Sequence, residues 1–165
     1  MPTSHNLRVA LGGDHAGFPL KKAVAERYES LLTSLIDCGT HSEASCDYPE
    51  FAVSVSKAII DGDADRGIVV CGSGVGVSVA ANKIPGIRAA ICHDTYSAHQ
   101  GVEHDDMNVL CLGARVIGVE VAKELVKVFL SAQFSGEERH RRRLQKLLAI
   151  EAKNIKLRES GREED

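Results

Sequence analysis

Short apolar runs alternate with segments of helical periodicity along most of the chain, and this alternation constrains the fold more than any other feature. The strand-like runs are residues 7–11, 35–38, 67–71, 88–92 and 109–112. The helical segments are residues 19–32, 51–60, 75–82, 96–103 and 119–130. Strands and helices that alternate in this way favour a parallel sheet covered on both faces. We therefore predict an α/β fold, a Rossmann-like three-layer sandwich with a five-stranded parallel sheet.

The 165-residue chain has the length of one domain. We assign residues 1–158 to that domain and residues 159–165 to a polar C-terminal tail. The last segment begins with charged residues and carries four apolar residues on one helical stripe: Leu144, Leu147, Leu148 and Ile155. An amphipathic helix outside the sheet needs an apolar surface to cover. That surface lies on its own subunit or on a partner.

The composition argues against several classes of protein. A net charge of −3 disfavours a general nucleic-acid binder. No apolar stretch reaches the roughly 20 residues of a membrane span, and the opening residues lack the basic flank and apolar core of a secretory signal. We therefore expect a cytoplasmic protein. The five cysteines show no CxxC or paired metal spacing, which disfavours a disulfide scaffold and a zinc site.

Polar and titratable residues follow the predicted strands at their carboxyl ends. In open parallel sheets, ligands bind beyond these ends. The residues found there are Asp14 and His15 after the first strand, the turn 72–76 after the third, His93 and Asp94 after the fourth, and Arg115 after the fifth. We expect the functional site at this edge of the sheet.

The third of these strands ends in Cys71, directly before the turn 72–76, whose sequence is Gly-Ser-Gly-Val-Gly. The turn matches neither GxGxxG nor GxxxxGK[ST], so a purely structural turn remains an alternative. Free amides at a helix start near Val75 favour an anion there, either a phosphate or an oxygen that becomes negative during a reaction. Cys71 is either an inert core thiol or a reactive thiol that acts as nucleophile or base. Ser73 could relay a proton or hold a substrate oxygen.

Two histidines and two arginines have both structural and functional interpretations. His15 forms a helix-cap pair with Asp14 or acts in proton transfer, and His104 is a surface histidine or an acid–base group. Arg139 and Arg143 lie four residues apart on one side of a helix. They form a solvated face or bind phosphate oxygens through paired hydrogen bonds. A nucleic-acid patch is disfavoured because the chain is acidic and the arginines have no interleaved aromatics.

Seven stretches, in the same order, resemble the family of type B ribose-5-phosphate isomerases, which also includes galactose-6-phosphate isomerase subunits. The resemblance covers about residues 7–151 and is carried by GGDHAGFPLK, DCGT, DYPEFA, VVCGSGVGVSVAANKIPGIRAA, TYSAHQ, NVLCLGARVIG and AQFSGEERHRRR. It implies an aldose–ketose isomerase that interconverts ribose 5-phosphate and ribulose 5-phosphate in the pentose phosphate pathway. It also implies that neither a metal nor an organic cofactor is needed.

The resemblance further implies roles for individual residues. Cys71 would be the base beside the sugar carbonyl, His104 would open the sugar ring, and Ser73 would stand where the family has Thr or Ser. The implied substrate-binding residues are Asp14, His15, Gly72, Ser73, Gly74, Val75, Gly76, Asp105, Arg115, Arg139 and Arg143, with Tyr48 lining the pocket. Among them, the turn amides would hold the enediolate and the three arginines would bind the phosphate.

The resemblance also implies partners. In dimers of this family the C-terminal helix reaches the neighbouring subunit, so we expect a homodimer or a dimer of dimers with sites shared between subunits. The expected ligand is a small phosphorylated sugar, with neither nucleic acid nor membrane as a partner.

Asp105 departs from the family pattern, because many members have Asn directly after this histidine. An ionised carboxylate accepts hydrogen bonds where an amide can donate them. Another substrate therefore remains an alternative: allose 6-phosphate, galactose 6-phosphate or a tetrulose phosphate. A non-catalytic phosphate- or nucleotide-binding module is a further alternative, which the absence of GxGxxG and of a Walker lysine disfavours.

Overall fold

The computed structural model describes residues 7–160, apart from the side chains at positions 158 and 159. Strands and helices alternate along this part of the chain. The elements are β1 (Arg8–Gly13), α1 (Phe18–Tyr28), a 3₁₀ turn (Glu29–Leu31), β2 (Ser34–Asp37), α2 (Tyr48–Ile60), β3 (Arg66–Cys71), α3 (Val75–Ala81), β4 (Ala89–Ile91), α4 (Thr95–Asp105), β5 (Val109–Gly113), α5 (Val119–Ser131) and α6 (Glu138–Ser160).

The five strands form one parallel sheet in the order β2-β1-β3-β5-β4, which confirms the predicted architecture. Several element bounds differ from the prediction, and two of these differences have clear reasons. Strand β1 continues to Gly13 because Gly12 and Gly13 still pair with β3, although glycine is a weak strand signal. Helix α2 begins at Tyr48, since Pro49 in its first turn fits a helix start.

Side chains alternate between the two faces of the sheet and give the protein its three layers. On one face, sheet residues pack against α1, α4 and α5; they include Ile68, Val70, Leu110 and Leu112. On the other face, sheet residues pack against α2 and α3; they include Val69, Cys71, Val109 and Cys111. Both faces are apolar, as expected for a parallel sheet covered on both sides.

Helix α6 lies outside the sheet and packs against α4. Glu151 holds it to the rest of the chain by accepting the backbone N–H of Gly86 at 3.0 Å. Beside it runs a groove of about 550 Å³, and Leu147 and Leu148 in its lining are 46% and 40% exposed. The predicted amphipathic helix is therefore confirmed, while its contact with a partner stays a prediction.

The predicted tail begins inside this helix, which runs to Ser160, and residues 161–165 lie outside the described part of the chain. Within residues 7–160, no helix is both long and apolar enough to cross a membrane.

Candidate active site

Cys71 ends β3 at the carboxyl edge of the sheet, beside Gly113 of β5. Its side chain is 5% exposed and belongs to the apolar cluster on that face. Hydrocarbon does not surround the sulfur completely, because the backbone N–H of Gly74 donates to Sγ at 3.1 Å. A donor in this position stabilises negative charge on sulfur. Gly74 can supply it because its φ of 83° is a left-handed conformation that glycine adopts readily.

The turn 72–76 is packed closely against its neighbours. A Cβ on Gly113 would lie 2.6 Å from the carbonyl oxygen of Ser73, and a Cβ on Gly76 would lie 2.8 Å from the ring of Tyr48. Ser73 itself is exposed, and its Oγ accepts the N–H of Val75 at 3.2 Å. The Tyr48 ring therefore lies against the turn that follows Cys71, and the Ser73 hydroxyl is exposed within this turn.

The β1–α1 turn brings Asp14 and His15 to the same edge. The N–H of Asp14 donates to the carbonyl of Val70 at 3.1 Å, and Asp14 Oδ1 accepts the N–H of Gly17 at 2.9 Å. Asp14 is 7% exposed, so part of its role is to stabilise this turn. His15 Nδ1 accepts the N–H of Cys46 at 3.2 Å, which ties the turn to the loop before α2.

Arg115 completes this group of residues from the end of β5. Its N–H donates to the carbonyl of Gly72 at 3.0 Å, and its exposed side chain lies against Gly72. We use the name thiol cluster for Asp14, His15, Tyr48, residues 71–76 and Arg115. Their gathering confirms that polar residues collect at the carboxyl edge, and it places a cation beside a candidate base.

Two buried thiols of the sheet region, Cys92 and Cys111, are poor candidates for a base. Burial raises the pKa of Cys92 to about 11, and burial also raises the pKa of Cys111. Both thiols therefore stay protonated at neutral pH and cannot serve as bases. Among the described residues, no group of three or more His, Cys, Asp or Glu side chains is arranged to hold a metal ion.

His104 lies at the opposite edge of the sheet from Cys71. Helix α4 begins after β4 with Asp94 as its cap and runs back toward the amino ends of the strands. Asn108 lies three residues after the end of this helix, and its backbone carbonyl accepts the N–H of Gly67 near the start of β3. From Gly67 to Cys71 the strand rises about 13 Å. A single chain therefore does not bring His104 to Cys71.

The side chain of His104 is held by three neighbours. Its Nδ1 lies 2.8 Å from the amide nitrogen of Gln100, and its Nε2 lies 3.6 Å from a carboxylate oxygen of Glu103. Its ring stacks on that of His140, with the centroids 4.0 Å apart and the planes 28° apart. The ring is thus fixed on one edge and on one face.

Three other predicted site residues lie on α4 or on α6, the helix that packs against it. Asp105 ends α4 and is exposed, and Arg139 and Arg143 are exposed on the first turns of α6. Arg139 forms an ion pair with Glu137 at 2.8 Å. We use the name histidine cluster for Gln100, Glu103, His104, Asp105, Ser135, Arg139, His140 and Arg143. The chain therefore carries the predicted site as two separate groups.

The sequence analysis did not identify His140. It lies inside the arginine run that was assigned to a solvated face or a phosphate site, yet it is only 1% exposed. A signal was available, because His140 precedes Leu144, Leu147 and Leu148 at helical spacing on the apolar stripe of α6.

Comparison with known proteins decides the family. The sequence model of a family described as Ribose/Galactose Isomerase matches residues 9–147. The chain belongs to this family. The predicted resemblance is thereby confirmed.

Individual members of the Ribose/Galactose Isomerase family are similar over nearly their whole length. Ribose-5-phosphate isomerase B of Escherichia coli is 44% identical over 87% of this chain and 96% of its own. D-erythrulose-4-phosphate isomerase 2 of Mycolicibacterium smegmatis is 37% identical over 88% of this chain and 97% of its own. The solved structure of Clostridium thermocellum ribose-5-phosphate isomerase B has a TM-score of 0.85 at 44% identity, covering 90% of this chain and 99% of that one.

The two clusters give this member of the Ribose/Galactose Isomerase family complementary chemical groups. The thiol cluster contains a sulfur, a backbone donor directed at it and the guanidinium of Arg115. The histidine cluster contains an imidazole held in one orientation and two exposed guanidinium groups. A base, an acid–base imidazole and cations for an anionic substrate are the groups that isomerisation of a phosphorylated sugar requires.

Proposed function

We propose that the protein is an aldose–ketose isomerase that interconverts D-ribose 5-phosphate and D-ribulose 5-phosphate through a cis-enediolate. The observation that carries this proposal is the position of Cys71 Sγ at the sheet edge, 3.1 Å from the backbone N–H of Gly74. Family membership supports the reaction type, and the similarity to ribose-5-phosphate isomerase B supports the substrate.

In the proposed reaction, the Cys71 thiolate removes the proton from C2 of the open-chain aldose. The C2–H electrons form the C1–C2 double bond, and the negative charge moves to O1. The proton on O2 then passes to O1, and the thiol returns its proton to C1 as O2 becomes the ketone oxygen. Backbone N–H groups of the turn 72–76 stabilise the enediolate, a type of interaction that contributes about 3–4 kcal/mol per donor.

Ser73 is suited to the proton exchange between O1 and O2, because its exposed hydroxyl lies two residues from the base. His104 opens the furanose ring before the proton transfer by giving a proton to the ring oxygen or taking one from O1. Its contact with Gln100 leaves Nε2 as the nitrogen that carries the proton in the neutral ring. Asp14, His15, Asp105 and Tyr48 would contact the sugar, and the three arginines would bind its phosphate.

We propose that each active site is shared between two copies of the chain, in a homodimer or a dimer of dimers. The support is the separation of the two clusters: about 13 Å of sheet lies between Cys71 and the edge where His104 is found. The exposed leucines of α6 and the groove beside this helix offer an apolar surface for a second copy. The thiol cluster of one copy would then meet the histidine cluster of the other.

The proposed substrate suggests a cellular compartment and a metabolic pathway for the protein. Sugar phosphates carry about two negative charges near neutral pH and do not cross membranes unaided. We therefore assign the protein to the cytoplasm and to the pentose phosphate pathway.

Asp105 and one relative favour a second candidate substrate. Asp105 is an exposed carboxylate at the end of α4, where the family resemblance leads us to expect Asn. The relative from Mycolicibacterium smegmatis is named for D-erythrulose 4-phosphate. A tetrulose phosphate is accordingly the first alternative to test, followed by allose 6-phosphate and galactose 6-phosphate.

NMR spectroscopy of candidate sugar phosphates with the enzyme in D₂O tests both the reaction and the substrate. We expect D-ribose 5-phosphate to be converted to ribulose 5-phosphate, with deuterium incorporated at C1 of the ketose. The same panel gives kcat/KM for each sugar. A value for ribose 5-phosphate far below that of another sugar would overturn the substrate, and no conversion of any sugar would overturn the reaction.

A further inference from the structure

His140 is a buried histidine with one unsatisfied ring nitrogen. The residue is 1% exposed, and among the described residues its Nε2 has no hydrogen-bond partner. Burying a polar atom without a partner is unfavourable, so such an atom in a folded protein calls for a physical reason. The chain could place leucine at this apolar position of α6, yet it has an imidazole.

The other nitrogen of His140 is firmly held. Nδ1 lies 2.6 Å from Ser135 Oγ, and this oxygen also accepts the N–H of Glu137 at 3.2 Å. The N–H of Ser135 in turn donates to the carbonyl of Glu103, one residue before His104. Ser135 thus connects the start of α6 to the end of α4 and fixes the rotation of the His140 ring.

The fixed ring of His140 covers one face of the His104 imidazole at a centroid distance of 4.0 Å. Gln100 holds His104 at Nδ1, on the side away from Nε2. The carboxylate of Glu103 lies 3.6 Å from Nε2, beyond hydrogen-bond distance. With one face and Nδ1 occupied and Glu103 on one side of Nε2, His104 can meet a substrate through Nε2 in only a narrow range of orientations.

We propose that His140 is a positioning residue for ring opening, which holds the imidazole of His104 so that Nε2 faces the ring oxygen of a cyclic sugar phosphate. This inference rests on the proposed isomerase function. His140 acts through His104 and does not touch the sugar. Its contribution therefore concerns the ring-opening step and not the proton transfer at Cys71.

The electrostatic surroundings are consistent with a neutral His140. Burial lowers its pKa, and the nearby positive groups of His104, Arg139 and Arg143 lower it further, against an opposing effect of Glu137. A neutral ring can stack on His104 without repelling a proton that His104 carries during ring opening.

The two proposed substrates separate ring opening from isomerisation. In D-ribose 5-phosphate, O4 adds to the aldehyde carbon C1, so this sugar exists mostly as a furanose ring. D-ribulose 5-phosphate cannot form a furanose, because its O5 carries the phosphate. Conversion of ribose 5-phosphate therefore depends on ring opening. Exchange of a C1 hydrogen of ribulose 5-phosphate for deuterium in D₂O begins and ends with the open-chain ketose, so it needs only the proton transfer at Cys71.

The experiment measures kcat/KM for conversion of ribose 5-phosphate and the initial rate of C1 deuterium exchange into ribulose 5-phosphate. The chains compared are the wild type, His140→Leu, His140→Phe and His99→Leu. We expect His140→Leu to lower kcat/KM for ribose 5-phosphate about tenfold, which is part of the full effect of an acid–base group, and to leave the exchange rate within about threefold. His140→Phe keeps a flat ring against His104 and should recover part of the loss. His99 is a half-exposed histidine on the same helix, so His99→Leu should change neither value.

The outcomes are distinct. Selective loss in His140→Leu with recovery in His140→Phe supports the inference. No loss, an equal loss in conversion and in C1 exchange, or no recovery with Phe overturns it. If circular dichroism shows that the His140 variants do not fold, Ser135→Ala carries the same test, since it keeps the ring and removes its hydrogen bond. A wild-type chain inactive on both sugars would instead overturn the proposed function itself.

Discussion

The backbone N–H of Gly74 donates to Cys71 Sγ across 3.1 Å, and α3 begins at the residue after Gly74. The contact requires the left-handed backbone of Gly74, which turns its N–H back toward the end of β3. It gives Cys71 a polar partner that an inert core thiol would not need. The activity of the protein should therefore depend on both residues.

Replacing Cys71 by alanine should lower kcat by at least about 10²-fold, because the substitution removes the proposed base. The measurement is the conversion of sugar phosphate in D₂O, followed by NMR. The matched control is Cys92→Ala, which removes a buried thiol just after β4, where the raised pKa keeps the sulfur protonated. Near-normal turnover by Cys71→Ala would show that another group is the base.

Replacing Gly74 by alanine should reduce both stability and activity. A Cβ there would lie 3.2 Å from the backbone of Leu112, and the φ of 83° is unfavourable for alanine by about 1–2 kcal/mol. The matched control is Gly62→Ala, since Gly62 has a φ of 81° but no atom within 4 Å of the added Cβ. Urea unfolding should show a loss in both variants, while kcat falls only in Gly74→Ala. Equal activity in the two variants would contradict the assigned role of the turn.

The elements of the fold could be predicted from the sequence because local periodicity determines them. Leu20, Val24 and Tyr28 recur at helical spacing and are buried on one side of α1. The thiol cluster follows from the rule that ligands bind beyond the carboxyl ends of parallel strands. The bounds of β1 were missed where Gly12 and Gly13 pair with β3, since a glycine pair predicts a turn.

The remaining features depend on contacts between distant residues. His140 was missed because its burial results from packing against α4. Its ring stacks on His104, which lies 36 residues earlier in the sequence. Lys21 is 2% exposed, which no sequence pattern predicts for a lysine, because its partner Asp37 lies 16 residues away on β2. The separation of His104 from Cys71 likewise became evident only from the direction of α4.

Mixing two inactive variants tests the proposal that active sites are shared. Co-expressed Cys71→Ala and His104→Asn chains should regain about a quarter of the wild-type activity, because half of a random dimer population is mixed and one of its two sites keeps both residues. Each variant purified alone should be nearly inactive. If the mixture is as inactive as its components while mass spectrometry shows mixed dimers, the site is not shared in this way.

Arg139→Gln should raise KM for the sugar phosphate about tenfold or more, since a guanidinium–phosphate contact contributes about 1.5–3 kcal/mol. Stability should change little, because the ion pair of Arg139 with Glu137 is exposed. The control is Arg142→Gln, which removes another arginine of the same run, one that pairs with Glu138 at 2.8 Å. Steady-state kinetics distinguishes them, and an equal change of KM in both variants would argue for a general charge effect.

The buried Lys21 and the half-exposed Asp37 form an ion pair that supports the loop beside the thiol cluster. Asp37 also accepts the N–H of Gly39, whose carbonyl accepts the N–H of Gly13 just before Asp14. Burial alone would raise the pKa of Asp37, but hydrogen bonds from Lys21 and Gly39 outweigh it, so the pKa lies below its ordinary value of 3.8. The folded state therefore favours the ionised carboxylate.

Because the folded-state pKa is lowered, the pair stabilises the protein fully above about pH 4 and loses its effect as the pH falls through the folded-state pKa. Asp37→Asn should thus lower the free energy of unfolding by about 1–2 kcal/mol at neutral pH, a modest value because Asp37 is half exposed. The gap to wild type should narrow near pH 3, as urea unfolding at both pH values would measure. A double variant, Lys21→Met with Asp37→Asn, should recover stability, since removing both charges leaves no unpaired buried ammonium. A gap that widens in acid would mean that Asp37 is not stabilised as the anion.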